Sequence, residues 1–260
     1  MSLRRIRGVF FRYYYTLLKG PHQLADLFYW PLVDILIWGL TSAWLQNQSQ
    51  VSNLPLVMMT ALIFWQIAWR GSVDISVNLL QEFWHRNLVN LFSTPLKVSE
   101  WAVGLIMLST CKLFATVGFG SLMVYLLYSL NVYEVGWMFL PFAALVIIFG
   151  WSLGFFAAGM IIYYGQQLEM FAWMVAFLFA PFSAVFYPLD VLPVWAQWVA
   201  KGIPTSYVFE GMRTVLRGGE LPVWNLLMSL TLDIVYLALA VAFFTAMYSK
   251  RRRKGLMHLE

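Results

Sequence analysis

The sequence predicts an all-α integral membrane protein, and three observations carry that prediction. Hydrophobic residues make up 61% of the 260 positions and charged residues only 11%, against about 25% charged in soluble domains. Six apolar stretches each reach the roughly 20 residues that a helix needs to cross a bilayer. The basic residues cluster in segments beside and between those stretches.

The first element is expected over residues 3–19. Leu3, Ile6, Phe10, Tyr13, Tyr14 and Leu17 recur at helical spacing among Arg4, Arg5, Arg12 and Lys19. That is the pattern of a basic amphipathic helix lying in the membrane interface, in contact with lipid. No small-residue cleavage site follows it, so no cleavable signal peptide is expected. Gly20-Pro21 ends the helix. Transmembrane spans are expected at 27–46, 55–77, 101–129, 137–163, 168–187 and 223–248. A cytoplasmic helix is expected at 79–93, and two short helices within 188–221 precede the last span. The chain reads as one transmembrane domain, 1–260, without internal repeats.

Charge sets the expected topology. Arg4, Arg5, Arg7, Arg12 and Lys19 precede the first span, Arg86 and Lys97 lie between the second and third, and the run Lys250–Lys254 follows the last. The opposite loops carry only Lys201, Arg213 and Arg217. The positive-inside rule then places both termini and residues 79–100 in the cytoplasm, which requires an even number of spans. The +5 net charge is accounted for by this pattern and does not point to nucleic acid.

The most unusual stretch runs from Tyr187 to Leu221. Pro188, Pro193 and Pro204 cut it into two pieces, Val194–Lys201 and Thr205–Arg217, each too short for a hydrocarbon core of about 30 Å. Both have apolar faces: Val194, Trp195, Trp198 and Val199 on one, Tyr207, Val208, Met212, Val215 and Leu216 on the other. Such helices lie in the interface or dip back into the membrane, as a gate or lid would.

The segment Leu79–Glu100 is the second informative stretch. Leu80, Phe83, Leu88 and Leu91 belong to a helical apolar stripe, with Glu82, Arg86 and Asn87 among them, before a Ser93-Thr94-Pro95 break. Periodicity leaves two readings open, a helix docked in a groove of a soluble partner and a helix resting on the inner leaflet.

Asp34, Lys112 and Asp233 are the deepest charges, each costly unless paired or hydrated. Arg70 and Asp74, one turn apart, can pair, as can Glu210 and Arg213. The spans' charges either tie helices together or face cytoplasmic water, or, for Asp34, Lys112 and Asp233, face a transport path. The Glu210–Arg213 pair is either a surface pair or a pin on the exterior helix. Trp30, Trp38, Trp44, Trp65, Trp69, Trp137, Trp195, Trp198 and Trp224 fall mostly near span ends and read as an interfacial belt, with stacking on sugars or flat drugs in a pathway as the alternative. Gly150, Gly154 and Ala158 recur every fourth residue and permit close helix contact, within one subunit or between two. Cys111 is the single cysteine, and His22, His85 and His258 do not cluster, so no metal site is expected. No G-x-x-x-x-G-K-[ST] phosphate loop is present.

Three segments resemble the permease subunit of ABC-2 type transporters, the type-2 ABC exporter fold: DLFYWPLVDILIWGL (Asp26–Leu40), EFWHRNLVNLFSTPLKVSEWAVG (Glu82–Gly104) and FYPLDVLPVWAQWVAKGIPTSYVFEGMR (Phe186–Arg213). Their order and spacing carry the likeness over nearly the whole chain. The resemblance implies an amphipathic elbow helix at the N-terminus and a cytoplasmic coupling helix formed by Leu80, Glu82, Phe83, Arg86, Asn87, Leu88 and Leu91. The Tyr164–Gln167 turn would be a second, smaller contact. It also implies an exterior gate formed by Tyr187, Pro188, Leu192, Pro193, Pro204, Tyr207, Glu210 and Arg213. Such a permease would form a homodimer in the cytoplasmic (inner) membrane of a prokaryote. It would be powered by two copies of a cognate ABC ATPase, with ATP and Mg2+ held in that partner and no cofactor in this chain. It would not itself be an enzyme. The implied cargo is a hydrophobic or amphiphilic, drug-like or lipid-like molecule. Export of a lipid-linked polysaccharide by the same architecture is the alternative, disfavoured because no R-Y-x-x-S-x-L-G-like segment is found. An ATP-independent carrier or intramembrane enzyme is the alternative of another class; paired repeats and a membrane-depth cluster of reactive side chains are both missing from the sequence.

Overall fold

The computed structural model describes residues 1–48 and 53–254, without the side chains of His22, Leu88, Val89, Phe92, Gln166 and Lys254. Residues 49–52 of the expected exterior connection 47–54, and His258, lie outside the described residues. Every regular element among the described residues is helical.

The N-terminal helix α1 (Leu3–Lys19) has the expected bounds and buries Ile6, Val9, Tyr13 and Leu17. These residues do not rest on lipid, because they pack on α5 (Val98–Tyr128). Gly104 of α5 permits this approach, since a Cβ there would lie 2.7 Å from Val9 Cγ1. A second stripe, Phe11, Tyr15 and Leu18, is exposed on the other side and fits the lipid-facing role. The helix α2 (Pro21–Gln48) starts directly after Gly20, with Pro21 in the first turn where its missing N–H costs nothing.

Helices α3 (Leu54–Trp84) and α6 (Phe139–Tyr164) form the centre. Both are buried along most of their length, whereas α2, α5 and α10 (Val223–Lys254) turn much of their surface outward. The small-residue stripe explains the α3–α6 contact. A Cβ on Gly154 would stand 2.7 Å from the Ser72 carbonyl oxygen, and one on Gly150 would lie 3.0 Å from the Gly71 Cα. The stripe is therefore used inside the subunit. A 3-10 segment, Val132–Met138, leads into α6, and Gly165 at φ 80° ends that helix.

Two expected elements differ. The second span does not stop near residue 77, and the helix expected at 79–93 is not one helix. α3 continues to Trp84, the chain turns at His85–Asn87 with Arg86 at φ 50°, and α4 (Leu88–Ser93) adds only six residues. No proline or glycine interrupts 72–84, and Leu79, Leu80 and Phe83 extend the buried stripe of α3 against α1 and α5. The helix therefore runs until its apolar period ends.

The stretch 168–187, expected as a continuous fifth span, is also broken. α7 (Phe171–Phe179) passes into a single 3-10 turn, Ala180–Phe182, and the chain then runs irregularly to Pro188. A helical run of this length rises only about 18–20 Å. Pro181 provides the reason: it lacks an N–H and its ring collides with the carbonyl four residues back. Ala184 then takes a left-handed φ of 54°. Five described helical stretches remain long and apolar enough to cross a membrane: α2, α3, α5, α6 with its preceding turn, and α10.

Two short helices lie within 188–221: α8 (Val194–Lys201) begins after Pro193, and α9 (Pro204–Leu216) begins on Pro204, one residue before the expected Thr205. α8 exposes Val194, Trp195, Trp198 and Val199, while α9 buries Val208, Phe209 and Met212.

Candidate functional site

A cleft of about 540 Å³ lies between α2, α3 and α7. The α2 wall is a stripe at four-residue spacing, Asp26, Trp30, Asp34 and Trp38, and the α3 wall supplies Leu62, Trp65, Gln66, Trp69 and Arg70. Trp173 and Phe177 of α7, with Phe186 beyond its broken end, complete the wall. Trp38 stacks on Phe186 with centroids 4.1 Å apart, and Trp69 meets Phe177 at 4.4 Å. A second hollow, sharing Asp26, Trp30, Arg70 and Trp173, continues toward Asp74, Asn78, Trp84 and Lys112.

The polar groups form two layers. In one, the Gln66 amide donates to Asp34 Oδ2 at 2.6 Å. In the other, one turn further along α3 or about 6 Å, Arg70 meets Asp26 at 3.1 Å and Asp74 at 3.6 Å, while Lys112 Nζ lies 3.0 Å from Asp74. Arg70 and Asp74 are almost wholly buried. Two carboxylates and two cations balance each other there, which is what removal from water demands.

The expected Arg70–Asp74 pair is thus present, and Lys112 is absorbed into it. Asp34 faces the cleft. Asp233 does not line it: it is buried on α10, 3.5 Å from the Ser229 hydroxyl, and its Oδ1 has no hydrogen-bond partner among the described residues. Four tryptophans read as an interfacial belt, Trp30, Trp38, Trp65 and Trp69, line the cleft instead. Asp26, Gln66, Trp173, Phe177 and Phe186 were missed as members of the site. The four-residue spacing of Asp26, Trp30, Asp34 and Trp38 was a usable signal for one wall.

Beside the broken end of α7, Arg213 is not on the surface. Its guanidinium is buried, donates to the carbonyls of Ala184 and Val185, and meets Glu210 at 3.0 Å. Glu210 also accepts the Leu189 N–H at 2.9 Å. Burial pulls the Arg213 pKa down and the Glu210 carboxylate opposes that shift. Thr205 donates to Ser183 at 2.9 Å, and Tyr187 donates to the Pro181 carbonyl. α9 is therefore fastened to the irregular end of α7. Asn53 and Leu54 of α3 border a hollow of about 260 Å³ with Pro188 and Arg213. Pro204 is buried, Tyr207 and Leu192 are half-buried, and Pro193 is exposed.

Around the Trp84 end of α3, the residues expected to dock a partner separate into two groups. Leu80, Glu82, Phe83 and Leu91 are buried within this chain. Glu82 accepts from Arg12 and from Asn87, both at 2.7 Å. Trp101 donates to the Tyr13 hydroxyl at 3.1 Å, and burial together with the Glu82 charge pushes the Tyr13 phenol pKa well up. Arg5 meets Glu100 at 3.2 Å. The side chain of Leu88 lies outside the described residues. Of the residues expected to dock, Arg86 is exposed; Trp84, His85 and Asn90 in the same stretch are exposed too, and the Trp84 indole donates to Glu169 at 3.3 Å, beside the 164–167 turn.

The described residues form helices, five stretches of them long and apolar enough to cross a membrane, with an aromatic cleft and a buried charge layer among them. The chain belongs to the ABC-2 type transporter family, whose family model matches residues 22–216, from the start of α2 to the end of α9. That places it as the transmembrane permease component of an ABC transporter, a family that works with an ATPase partner. A comparison with curated proteins finds no match.

Proposed function

We propose that two copies of this chain export a hydrophobic or amphiphilic, drug-like or lipid-like molecule across a prokaryotic cytoplasmic membrane, driven by two separate ATPase subunits that hold ATP and Mg2+. Membership of the ABC-2 family carries the reading, and the cleft gives it a place for the cargo. Its volume falls within the roughly 300–1,000 Å³ of small-molecule pockets, and its walls are mainly aromatic.

In this mechanism the exposed turn Trp84–Arg86 and the neighbouring 164–170 turn receive movement from the ATPase. α3 runs without a break from that turn to the exterior, a length of about 46 Å. A push at Trp84 therefore reaches Arg70, Gln66 and the exterior hollow as one rigid-body shift. α1, tied on by Arg12–Glu82 and Arg5–Glu100, keeps the end of α3 and the start of α5 together during the stroke. The Arg213 contacts make residues 183–213 move as a unit, which opens or closes the exterior end. Nucleotide drives the change through its different affinity for the two arrangements.

The test is co-expression with a candidate ATPase encoded beside this chain. The reading predicts a stable complex with equal numbers of both subunits and ATP hydrolysis that depends on the permease. Failure to bind any ATPase, with transport or catalysis intact in the isolated chain, contradicts it.

A further inference from the structure

The geometry points to a hydrophobic organic cation as the cargo of the cleft, held by Asp34 and the aromatic wall. This rests on the reading of the cleft as the substrate path. Its argument begins with the charges. In the layer of Arg70, every charge has a partner: Asp26 and Asp74 face Arg70, and Lys112 faces Asp74. One turn away, Asp34 has none. Among the described residues no cationic side chain pairs with it, and its only hydrogen bond, at Oδ2, comes from the neutral Gln66 amide. Asp34 is half-buried and faces the cleft.

A carboxylate at membrane depth is costly unless a cation or water compensates it. The surfaces around this one reject small hydrated ions and suit a greasy cation. Trp30, Trp38, Trp65, Trp69, Phe177 and Phe186 line the same cavity, with Trp38 stacked on Phe186 and Trp69 against Phe177. Aromatic faces attract cations through their quadrupole, most strongly when water is excluded. The two features therefore select the same ligand: bulky apolar groups against the rings, positive charge toward Asp34. An anionic amphiphile of equal size would meet an uncompensated carboxylate and be rejected.

The test uses two probes of matched shape and opposite charge, tetraphenylphosphonium and tetraphenylborate. Binding of each to the full chain in nanodiscs is measured by equilibrium dialysis, with empty nanodiscs subtracted. The wild type is expected to bind the phosphonium saturably and at least about tenfold more tightly than the borate. Asp34→Asn, which can still accept from Gln66, is expected to weaken phosphonium binding by about tenfold and to abolish the preference. Asp34→Glu should retain it. Size-exclusion profiles check that the variants fold. Equal affinity for both ions, no saturable phosphonium binding, or an unchanged Asp34→Asn variant overturns the assignment. A chain that still couples to its ATPase while failing this test loses only the cation assignment, and the exporter reading stands apart.

Discussion

Asp74 is the residue on which the buried charge layer depends, and Asp74→Asn is the sharpest test of that layer. The substitution keeps shape and volume while removing the carboxylate that faces both Arg70 and Lys112, at 3.6 and 3.0 Å. Arg70 keeps Asp26, at 3.1 Å. Lys112, only 12% exposed, keeps no described ion-pair partner. Removing one partner of a buried pair costs about 3–5 kcal/mol, and the partial exposure of Asp26 and Lys112 puts the expected loss near the lower limit. At about 2–4 °C per kcal/mol for a chain of this size, the melting temperature in detergent should fall by roughly 6–12 °C. The double variant Asp74→Asn/Lys112→Met restores neutrality, leaving Arg70 with Asp26, and should recover most of the loss. The assay is a double-mutant cycle read by thermal unfolding of the purified chain. Additive effects of the two substitutions, or an unshifted single variant, would refute the argument that charge balance holds this layer together.

Three further outcomes follow from the same geometry. Gly154→Leu should block the α3–α6 contact, where a Cβ alone would stand 2.7 Å from the Ser72 carbonyl oxygen, and should abolish recovery of monodisperse protein; normal yield contradicts the packing account. Arg213→Met removes the guanidinium from the Ala184 and Val185 carbonyls and leaves Glu210 with only the Leu189 N–H among its described donors, and should cost about 2–4 kcal/mol. Hydrogen exchange should then rise at residues 184–189, and unchanged protection argues against a fastened gate. At the Trp84 end of α3, Phe83→Glu buries a charge and should destabilise the fold. Arg86→Glu, on an exposed turn, should leave the melting temperature within about 1 °C while lowering permease-stimulated ATP hydrolysis several-fold. The reverse pattern would move the ATPase contact elsewhere.

The elements that local chemistry controls were readable in advance. Pro193 and Pro204 set the starts of α8 and α9 because proline suits a first helical turn and little else nearby. The spacing of Ile6, Tyr13 and Leu17 revealed α1, although spacing alone did not show that its buried face meets α5 instead of lipid. Long-range placement was less accessible. The hydropathy of 168–187 masked the break at Pro181, since an apolar run reads the same whether straight or broken. Leu80 and Phe83 looked like a docking face because an amphipathic stripe does not say which side of it is protein. For Arg213, spacing left a surface pair and a pin both open, because the Ala184 and Val185 carbonyls that hold it lie nearly thirty residues away in the chain. In the cleft, Asp26, Trp30, Asp34 and Trp38 share a helix face by spacing alone. Their pairing with Gln66 and Arg70 depends on how two helices settle together, which no local pattern encodes.

The most direct test of the central claim is ATP-driven transport by the assembled system. Inside-out vesicles containing this chain and its ATPase should accumulate tetraphenylphosphonium on addition of ATP and Mg2+. Accumulation should be lost when the phosphate-loop lysine of the ATPase is replaced, and should persist when ion gradients are collapsed. Accumulation that ignores ATP and follows an ion gradient would contradict an ATP-driven export permease.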